Sequence, residues 1–280
     1  MQNALSVDVE DWFQVGAFET VIARDSWETL PRRVERNTDA VLALFEEAGV
    51  KATFFTLGWV ATRHPALIRR IAEAGHELAS HGWDHKRVFT MSEAEFRDDL
   101  RRARETIEQA SGRKVGGYRA PSFSIDARTP WAHPVLAEEG YAYSSSVAPV
   151  RHDHYGWRES PRFAWRPVAG ADLIELPVTT VEVAGRRFAA GGGGFFRLLP
   201  YALSDWAIAR VNREQRPAIF YFHPWEVDAD QPRVDYAPLK SKLRHYTNLS
   251  VMRAKLLKLL KAYKWSRTEE VAAAERARLA

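Results

Sequence analysis

Short runs of apolar residues alternate along this chain with longer segments in which apolar residues recur at helical spacing. Residues 4–9 form a run that predicts a buried strand, and Val34, Val41 and Phe45 within residues 32–48 predict an amphipathic helix. The same alternation continues through the rest of the chain. Further strands are predicted at 52–57, 77–80, 117–118, 141–144, 173–176, 179–183 and 217–222, and further helices at 65–74, 92–110, 134–139 and 251–263.

Repeated units of a strand followed by a helix indicate the α/β class, because buried parallel strands are connected by helices. A length of 280 residues suits a single domain of the α/β-barrel size class, with two smaller domains as the alternative. In such barrels the C-terminal ends of the strands meet at one rim, which carries the active site. Polar residues that follow the predicted strands are therefore the first candidates for a functional site.

Two histidines directly after a predicted strand give the most specific chemical signal. His81 and His85 are four residues apart, so on a helical turn both imidazoles would lie on one face and could reach one divalent ion. A carboxylate from another segment, such as the acidic residues after the first strand, would complete a site of two histidines and one carboxylate. The alternative is that the histidines pack against neighbouring aromatic residues. The pattern indicates metal-assisted hydrolysis.

Three further polar residues lie at predicted strand ends. Asp8 ends the buried first strand, where a carboxylate is costly unless it has a partner, and Arg119 is the natural partner. His223 follows the strand at 217–222, a position that favours a proton donor over a core histidine. The alternatives are a cap for Asp8 and a structural ion pair for Arg119. We expect all three to converge with His81 on one rim.

Composition narrows the classes of function. With no cysteine the chain has no disulfide, thiolate zinc site or cysteine nucleophile, so nitrogen and oxygen atoms must hold any metal. The net charge of +4 comes from scattered arginines, which is typical of a solvated surface, and nucleic-acid binding is not expected. No apolar run reaches the roughly 18 residues of a membrane span and no signal peptide is evident, so a cytoplasmic location is expected.

Four segments of the chain, in order, resemble the motifs of one known family. Residues 6–13 (SVDVEDWF), 81–85 (HGWDH), 118–122 (YRAPS) and 220–225 (FYFHPW) resemble motifs one, two, three and five of the polysaccharide deacetylases with the NodB homology domain, carbohydrate esterase family 4. Further stretches at 152–156, 191–200 and 239–246 resemble a branch associated with exopolysaccharide loci of bacteria that use the exosortase and PEP-CTERM sorting system.

This resemblance covers nearly the whole chain and implies a fold. The expectation is a single NodB-like domain over residues 1–280, an irregular (β/α) barrel of about seven parallel strands, with residues from about 225 to 280 as a family-specific extension. It also implies a divalent metal ion, expected to be zinc, held by His81, His85 and one carboxylate.

The resemblance further implies a role for each candidate residue. Asp8 would be the base that takes a proton from water, His223 the acid that protonates the departing amine, and Arg119 the residue that tunes Asp8. A backbone N–H near Ser122 would help to stabilise the oxyanion. Tryptophans beside the motifs fit a carbohydrate groove, because apolar sugar faces stack on indole rings. The predicted substrate contacts are Trp12, Trp83, Pro121, Ser122 and Trp225.

The chain departs from the family pattern in two places. The first motif usually has two adjacent aspartates, base then ligand, but Val9 follows Asp8, so the ligand role passes to Glu10 or Asp11. Side chains alternate between the two faces of a strand, so Glu10 lies on the same side as Asp8 and is slightly favoured. Either carboxylate can still reach the metal, and the choice between them stays open. The fourth motif, an acidic residue that orients the catalytic histidine, has no clean match. Its candidates are Asp126, Asp172 and Glu175.

The implied function is a metal-dependent hydrolase that removes N-acetyl groups from amino sugars of a bacterial exopolysaccharide or its precursor. Two alternatives are a metal-free, allantoinase-like hydrolase of a cyclic amide and a catalytically silent sugar-binding scaffold of an exopolysaccharide biosynthesis complex. The expected partner is an N-acetylated polysaccharide or oligosaccharide, with peripheral association to the exopolysaccharide machinery. The sequence leaves the sugar, its linkage, the native metal and the oligomeric state open.

Overall fold

A curled sheet of parallel strands forms the core of the protein, in a computed structural model that describes residues 1–151 and 155–279. Residues 152–154, part of the 152–156 stretch considered above, lie outside the described residues. The strands are β1 (Gln2–Val9), β2 (Thr53–Thr56), β3 (Glu77–Ser80), β4 (Gly117–Tyr118), β5 (Tyr143–Ser144), β6 (Ile174–Glu175), β7 (Thr180–Val183), β8 (Arg186–Ala189), β9 (Ile219–Phe222) and β10 (Lys264–Ser266).

The strand order follows the chain. β1 to β6 lie side by side in parallel, and β9 and β10 each pair in parallel with β1 as well. β7 and β8 form a separate antiparallel hairpin. Because the parallel sheet curls and helices surround it, the predicted irregular (β/α) barrel is confirmed.

Helices connect and cover the strands. Their bounds are α1 (Val34–Ala48), α2 (Gly58–Arg63), α3 (Pro65–Glu73), α4 (Glu93–Ser111), α5 (Ala132–Glu138), α6 (Gly193–Leu198), α7 (Tyr201–Arg213), α8 (Leu239–Tyr246), α9 (Leu249–Ala262) and α10 (Thr268–Arg278). A capping box begins α4, since the Ser92 hydroxyl accepts from Glu95 N–H and the Glu95 carboxylate accepts from Ser92 N–H. Within the described residues, no helix combines the length and apolar character required to cross a membrane.

The strand register brings the residues after several strands to one rim. Val9 pairs with Thr56, Thr56 pairs with Ser80, and Ser80 pairs with Tyr118. The first four strands therefore end at nearly the same level. The segments that carry the candidate residues leave the sheet at this carboxyl-end rim, as expected for a parallel barrel.

The C-terminal part of the chain continues past the helix predicted at 251–263 with two further ordered elements, β10 and α10. β10 pairs with β1, and α10 packs over the opposite end of the sheet. Thr268 N–H donates to the Thr53 hydroxyl, and Glu269 N–H donates to the Glu77 carboxylate. A three-residue strand and an Ala/Arg/Glu-rich helix give a weak hydrophobic pattern. Their order comes from these long-range contacts, which the local sequence does not reveal.

The glycine run at 191–194 is built into the sheet edge. Gly191 and Gly192 are buried, and Gly192 forms an isolated parallel bridge with Tyr221 of β9. A Cβ atom on Gly191 would lie 2.4 Å from the carbonyl oxygen of Ile219. Only glycine allows this close approach, which joins the segment before α6 to β9.

Candidate active site

Three ligand-type side chains meet at the carboxyl-end rim. Glu10 follows β1, and His81 and His85 lie in the loop after β3. One ligand atom from each of the three residues lies within 4.8 Å of the others. The closest measured pair is Glu10 Oε2 and His85 Nε2, at 3.0 Å. All three residues are buried, and two imidazoles with one carboxylate can hold a divalent transition-metal ion.

His81 is fixed in an orientation that suits a metal ligand. Its backbone N–H donates to the carbonyl of Thr56, and its ring Nδ1 lies 2.8 Å from the carbonyl oxygen of Arg119. When Nδ1 carries the proton, the lone pair of Nε2 is free to bind a metal ion, which is the usual arrangement of metal-binding histidines. Burial lowers the pKa of His81 to about 4, so the ring is neutral at pH 7.

The loop that carries the two histidines is not the helical turn expected from their spacing, so that prediction is wrong. Gly82 and His85 both have left-handed backbones, with φ of 75° and 61°. A Cβ atom on Gly82 would lie 2.9 Å from the Asp99 carboxylate, which also accepts the N–H of Trp83 at 3.1 Å. Asp99 therefore holds the loop, and the two imidazole rings still lie 5.5 Å apart.

The two carboxylates after β1 point to different surroundings. Glu10 joins the histidines, whereas the carboxylate of Asp11 accepts N–H groups from Trp12, Arg33 and Val34 at 2.8 to 3.0 Å. Asp11 thereby caps the start of α1. Burial raises the pKa of Asp11 to about 6, despite these bonds. The structure thus brings Glu10, rather than Asp11, to the histidine pair.

The surroundings of Glu10 fit an ion. Its Oε2 atom is buried and has no hydrogen-bond partner of acceptable geometry, although His85 Nε2 lies 3.0 Å away. Burial acts to raise the pKa of Glu10, but His85 and His223 lower it to about 2, so the carboxylate is ionised at neutral pH. A buried, ionised and unsatisfied carboxylate oxygen that faces two imidazoles forms a donor set that could hold a divalent metal ion.

Asp8 and Arg119 form a buried ion pair next to this cluster. Arg119 Nη1 lies 2.7 Å from Asp8 Oδ1 and also donates to the hydroxyl of Ser6. The other guanidinium nitrogens donate to the carbonyl and hydroxyl oxygens of Ser145, and the guanidinium stacks 4.0 Å from the ring of Phe55. Every contact orients Arg119, which in turn holds one oxygen of Asp8. The Oδ2 atom of Asp8 is not held by Arg119.

His223 lies between two carboxylates. Its Nδ1 is 2.8 Å from Glu226 Oε1, and its Nε2 is 3.3 Å from Glu10 Oε1. The other oxygen of Glu226 accepts from Arg197 Nε at 2.6 Å. Burial acts to lower the pKa of His223, but Glu10 and Glu226 raise it to about 9. The imidazole is therefore protonated at neutral pH and held by a charged pair.

The prediction that Asp126, Asp172 or Glu175 orients this histidine is wrong. Asp126 binds the guanidinium of Arg128, and the side chain of Asp172 is 92% exposed. Glu175 binds His133 and two backbone N–H groups on the far strands of the sheet. Each carboxylate already has its own partner or lies in solvent.

Glu226 and Arg197 are the site residues that the sequence analysis misses. Glu226 stands three residues after His223 in a 3₁₀ turn, and its carboxylate also accepts the backbone N–H of His223. An acidic residue three positions after a capping residue is a local sequence signal, and it could have identified Glu226. Arg197 comes from α6, 29 positions upstream of Glu226. A Cβ atom on Gly193 would lie 2.3 Å from Glu226 Oε1, which explains the glycine at the start of α6.

Two of the three predicted motif tryptophans pack their indole rings against other parts of the chain. Trp12 is 3% exposed, packs edge to face on Phe13, and donates its indole N–H to the carbonyl of Pro31. Trp83 turns toward α4, where the guanidinium of Arg102 lies 3.4 Å from the centre of its ring. This packing leaves little indole surface of Trp12 for a sugar.

The other predicted substrate contacts lie near the cluster. The ring of Trp225 stacks between His223 and His245, and its indole N–H points to Glu10 Oε1 at 3.4 Å. Pro121 and Ser122 follow Arg119, and Ser122 has a left-handed backbone with φ of 54°. Contact of these residues with substrate stays a prediction.

Comparison with family models divides the chain into two consecutive regions. Residues 25–143 match the model described as polysaccharide deacetylase. Residues 145–273 match a domain of unknown function, DUF3473. The histidine pair and Arg119 lie in the first region, and His223, Glu226 and Arg197 lie in the second. The site therefore combines side chains from both matched regions.

Relatives and solved structures agree with this assignment. The chain is 33% identical over 89 residues to the peptidoglycan-N-acetylglucosamine deacetylase PgdA of Listeria monocytogenes, covering 32% of this chain and 19% of PgdA. It is 30% identical over 137 residues to a chitooligosaccharide deacetylase of Bradyrhizobium, covering 49% of this chain and 56% of that protein. The chain thus spans less than two thirds of these relatives.

A crystal structure of a Mycobacterium smegmatis protein assigned to the polysaccharide deacetylases superposes with a TM-score of 0.64 at 21% identity, covering 99% of this chain and 91% of that one. A family 4 carbohydrate esterase from Streptomyces lividans, in complex with acetate, superposes with a TM-score of 0.51 at 15% identity, covering 95% and 91%. At these identities the likeness concerns the fold.

Proposed function

We propose that the chain, whose residues 25–143 match the polysaccharide deacetylase family, is a metal-dependent hydrolase that removes N-acetyl groups from amino sugars of a polysaccharide. One observation carries the proposal. The buried cluster of Glu10, His81 and His85 lies between a carboxylate paired with arginine and a protonated histidine. Relatives named for deacetylation of peptidoglycan and chitooligosaccharide support the same chemistry.

The donor set favours zinc as the ion. Two imidazole nitrogens and one carboxylate oxygen form an open three-ligand site of the kind used by catalytic zinc. When bound, such an ion supplies Lewis acidity, which polarises the amide carbonyl and lowers the pKa of an attacking water. His81 would bind through Nε2, because its Nδ1 is committed to the carbonyl of Arg119.

The remaining residues manage two protons. Asp8 takes a proton from the attacking water through the oxygen that Arg119 leaves unoccupied, while the guanidinium keeps the carboxylate oriented. His223 gives its proton to the nitrogen of the departing amino sugar as the C–N bond breaks. Glu226, held by Arg197, keeps that imidazole protonated and directed at the cluster. A backbone N–H near Ser122 would donate to the oxyanion. The products are acetate and a free amino sugar.

Two other functions fit the site less well. A metal-free hydrolase of a cyclic amide has no use for two histidines and a carboxylate that face one another. A silent sugar-binding scaffold has no use for a base, an arginine that orients it and a protonated histidine. We propose further that residues 1–280 act as one catalytic domain, since β9 and β10 complete the sheet beside β1. An exopolysaccharide or its precursor remains the proposed natural substrate, with association to the exopolysaccharide machinery.

Acetate release tests this function directly. The purified protein, loaded with one equivalent of zinc, should release acetate from chitooligosaccharides and from an N-acetylated exopolysaccharide, and it should leave allantoin unchanged. A chromatographic assay of acetate and of the exposed amines in parallel checks the balance of one acetate for each new amine. Ring opening of allantoin without acetate release from any glycan would replace the proposal with the cyclic amide reading. If the protein turns over neither N-acetylated glycans nor allantoin, the result would favour a catalytically silent sugar-binding scaffold.

A further inference from the structure

A group of large apolar side chains stands exposed where α6 passes into α7. Five residues within 12 positions have side chains directed to solvent, and each is between 37% and 49% exposed. We name this group the α6–α7 apolar face, and it consists of Phe195, Leu198, Leu199, Leu203 and Trp206. Single exposed apolar residues are ordinary, but a cluster of this size marks an interaction surface.

The exposure follows from how the two helices pack. In α6, Phe196 and Arg197 are buried, so Phe195 and Leu198 lie on the opposite side. In α7, the buried side is formed by Ser204, Ala207, Ile208 and Val211, and Leu203 and Trp206 lie outside it. Both helices thus have a core-facing side of their own. Within the described chain, none of the five outer apolar residues belongs to a hydrophobic core cluster.

The helices around this face are strongly basic. α7 and α9, the helices beside this face, contain two and four lysine or arginine residues, six in all, and one acidic residue, Asp205. The hydroxyl of Tyr263 donates to the Asp205 carboxylate at 2.8 Å. The surface that carries the apolar face therefore has a large excess of positive charge, whereas the net charge of the whole chain is only +4.

Several of these cations border the apolar face. Lys255 of α9 donates to the carbonyl of Leu199 at 2.7 Å. Lys258 lies 4.2 Å from the ring of Tyr201, the first residue of α7. The guanidinium of Arg210 lies 5.6 Å from the ring of Trp206. Leucine, phenylalanine and tryptophan side chains ringed by lysine and arginine form the pattern of a surface that binds an anionic bilayer.

We propose that the α6–α7 apolar face docks the protein on an anionic phospholipid membrane. The apolar side chains would enter the boundary between headgroups and acyl chains, and the surrounding cations would contact the lipid phosphates. A second copy of the chain fits the face less well, because a two-fold interface would bring the basic helices of both copies together. The proposal goes beyond the deacetylase function and does not depend on it.

Docking would place the catalytic end close to the membrane. α6 begins at Gly193, whose backbone lies against Glu226, the residue that holds His223. The same short helix thus connects the proposed site to the apolar face.

Vesicle co-sedimentation of the full chain tests the proposal. The protein should sediment with vesicles of phosphatidylcholine and phosphatidylglycerol in equal parts, bind weakly to phosphatidylcholine alone, and dissociate as salt rises. The double variant Leu203→Ser/Trp206→Ser should lower the partition coefficient roughly 10-fold or more, because two apolar anchors are lost. A matched control is Val183→Ser/Phe188→Ser on the β7–β8 hairpin, where both side chains are also exposed, and this variant should bind like the parent.

Acetate release from a short soluble glycan should be equal in the parent and both variants. Equal vesicle binding by the parent and the Leu203→Ser/Trp206→Ser variant, or equal losses in both variants, would overturn the proposal. Analytical ultracentrifugation tests whether a second copy of the chain binds to the α6–α7 apolar face instead. A dimer in the parent that the Leu203→Ser/Trp206→Ser variant abolishes, without binding to anionic vesicles, would identify the face as a self-interface and likewise overturn the proposal.

Discussion

Replacement of Asp8 by asparagine is expected to lower kcat for deacetylation by roughly 10²- to 10⁴-fold, the usual contribution of a positioned general base. The amide of asparagine keeps the size of the side chain and one oxygen that can face Arg119, but it cannot accept a proton from water. Metal content should stay near that of the parent, because Asp8 is outside the group of three ligand atoms. Steady-state acetate release together with elemental analysis measures both quantities.

The matched control is Asp126→Asn. Asp126 is also a buried aspartate paired with an arginine, Arg128, but it lies outside the cluster and should leave kcat unchanged within a few fold. Loss of the ion pair leaves the Arg119 charge buried, so thermal unfolding of Asp8→Asn must accompany the assay. A folded, metal-loaded Asp8→Asn protein with near-parent turnover would remove Asp8 from the role of base.

The second large effect concerns the two carboxylates after β1. Glu10→Ala should lower the affinity for zinc roughly 10-fold or more, whereas Asp11→Ala should keep zinc binding, because the Asp11 carboxylate is occupied by N–H groups at the start of α1. Asp11→Ala should instead lower the free energy of unfolding by about 1 to 2 kcal/mol, as other lost helix caps do. Competition with a zinc chelator and denaturant unfolding separate the two outcomes.

Each variant of this pair serves as the control for the other, since the residues are adjacent and both are buried. The variants His81→Ala and His85→Ala should resemble Glu10→Ala. Parent-like zinc affinity in a folded Glu10→Ala protein, or its loss in Asp11→Ala alone, would move the ligand role to Asp11.

The barrel and much of the site follow from local sequence because strand ends carry a local signal. Apolar runs that end in Asp8, Ser80 or Phe222 predict where the chain leaves a parallel sheet, and the strand register then sets the rim. The family resemblance adds the order of the motifs. The spacing of His81 and His85 identifies two histidines that the structure brings together, although their predicted helical turn is wrong.

What the sequence does not provide depends on contacts between distant segments. The local pattern favours Glu10 over Asp11 only slightly, and the approach of the α1 N-terminus to Asp11 is what separates their surroundings. Arg197 reaches Glu226 only because α6 packs beside β9, and no spacing rule predicts that contact.

Metal dependence of acetate release is the most direct test of the central claim, that Glu10, His81 and His85 hold an ion that the reaction requires. One preparation is assayed on chitooligosaccharide as purified, after exhaustive chelation, and after return of one equivalent of zinc, with Glu10→Ala taken through the same steps. The parent should lose turnover with its metal and regain it with zinc, and Glu10→Ala should not recover at the same zinc concentration. Full turnover by parent protein that elemental analysis shows to be free of metal would contradict the claim.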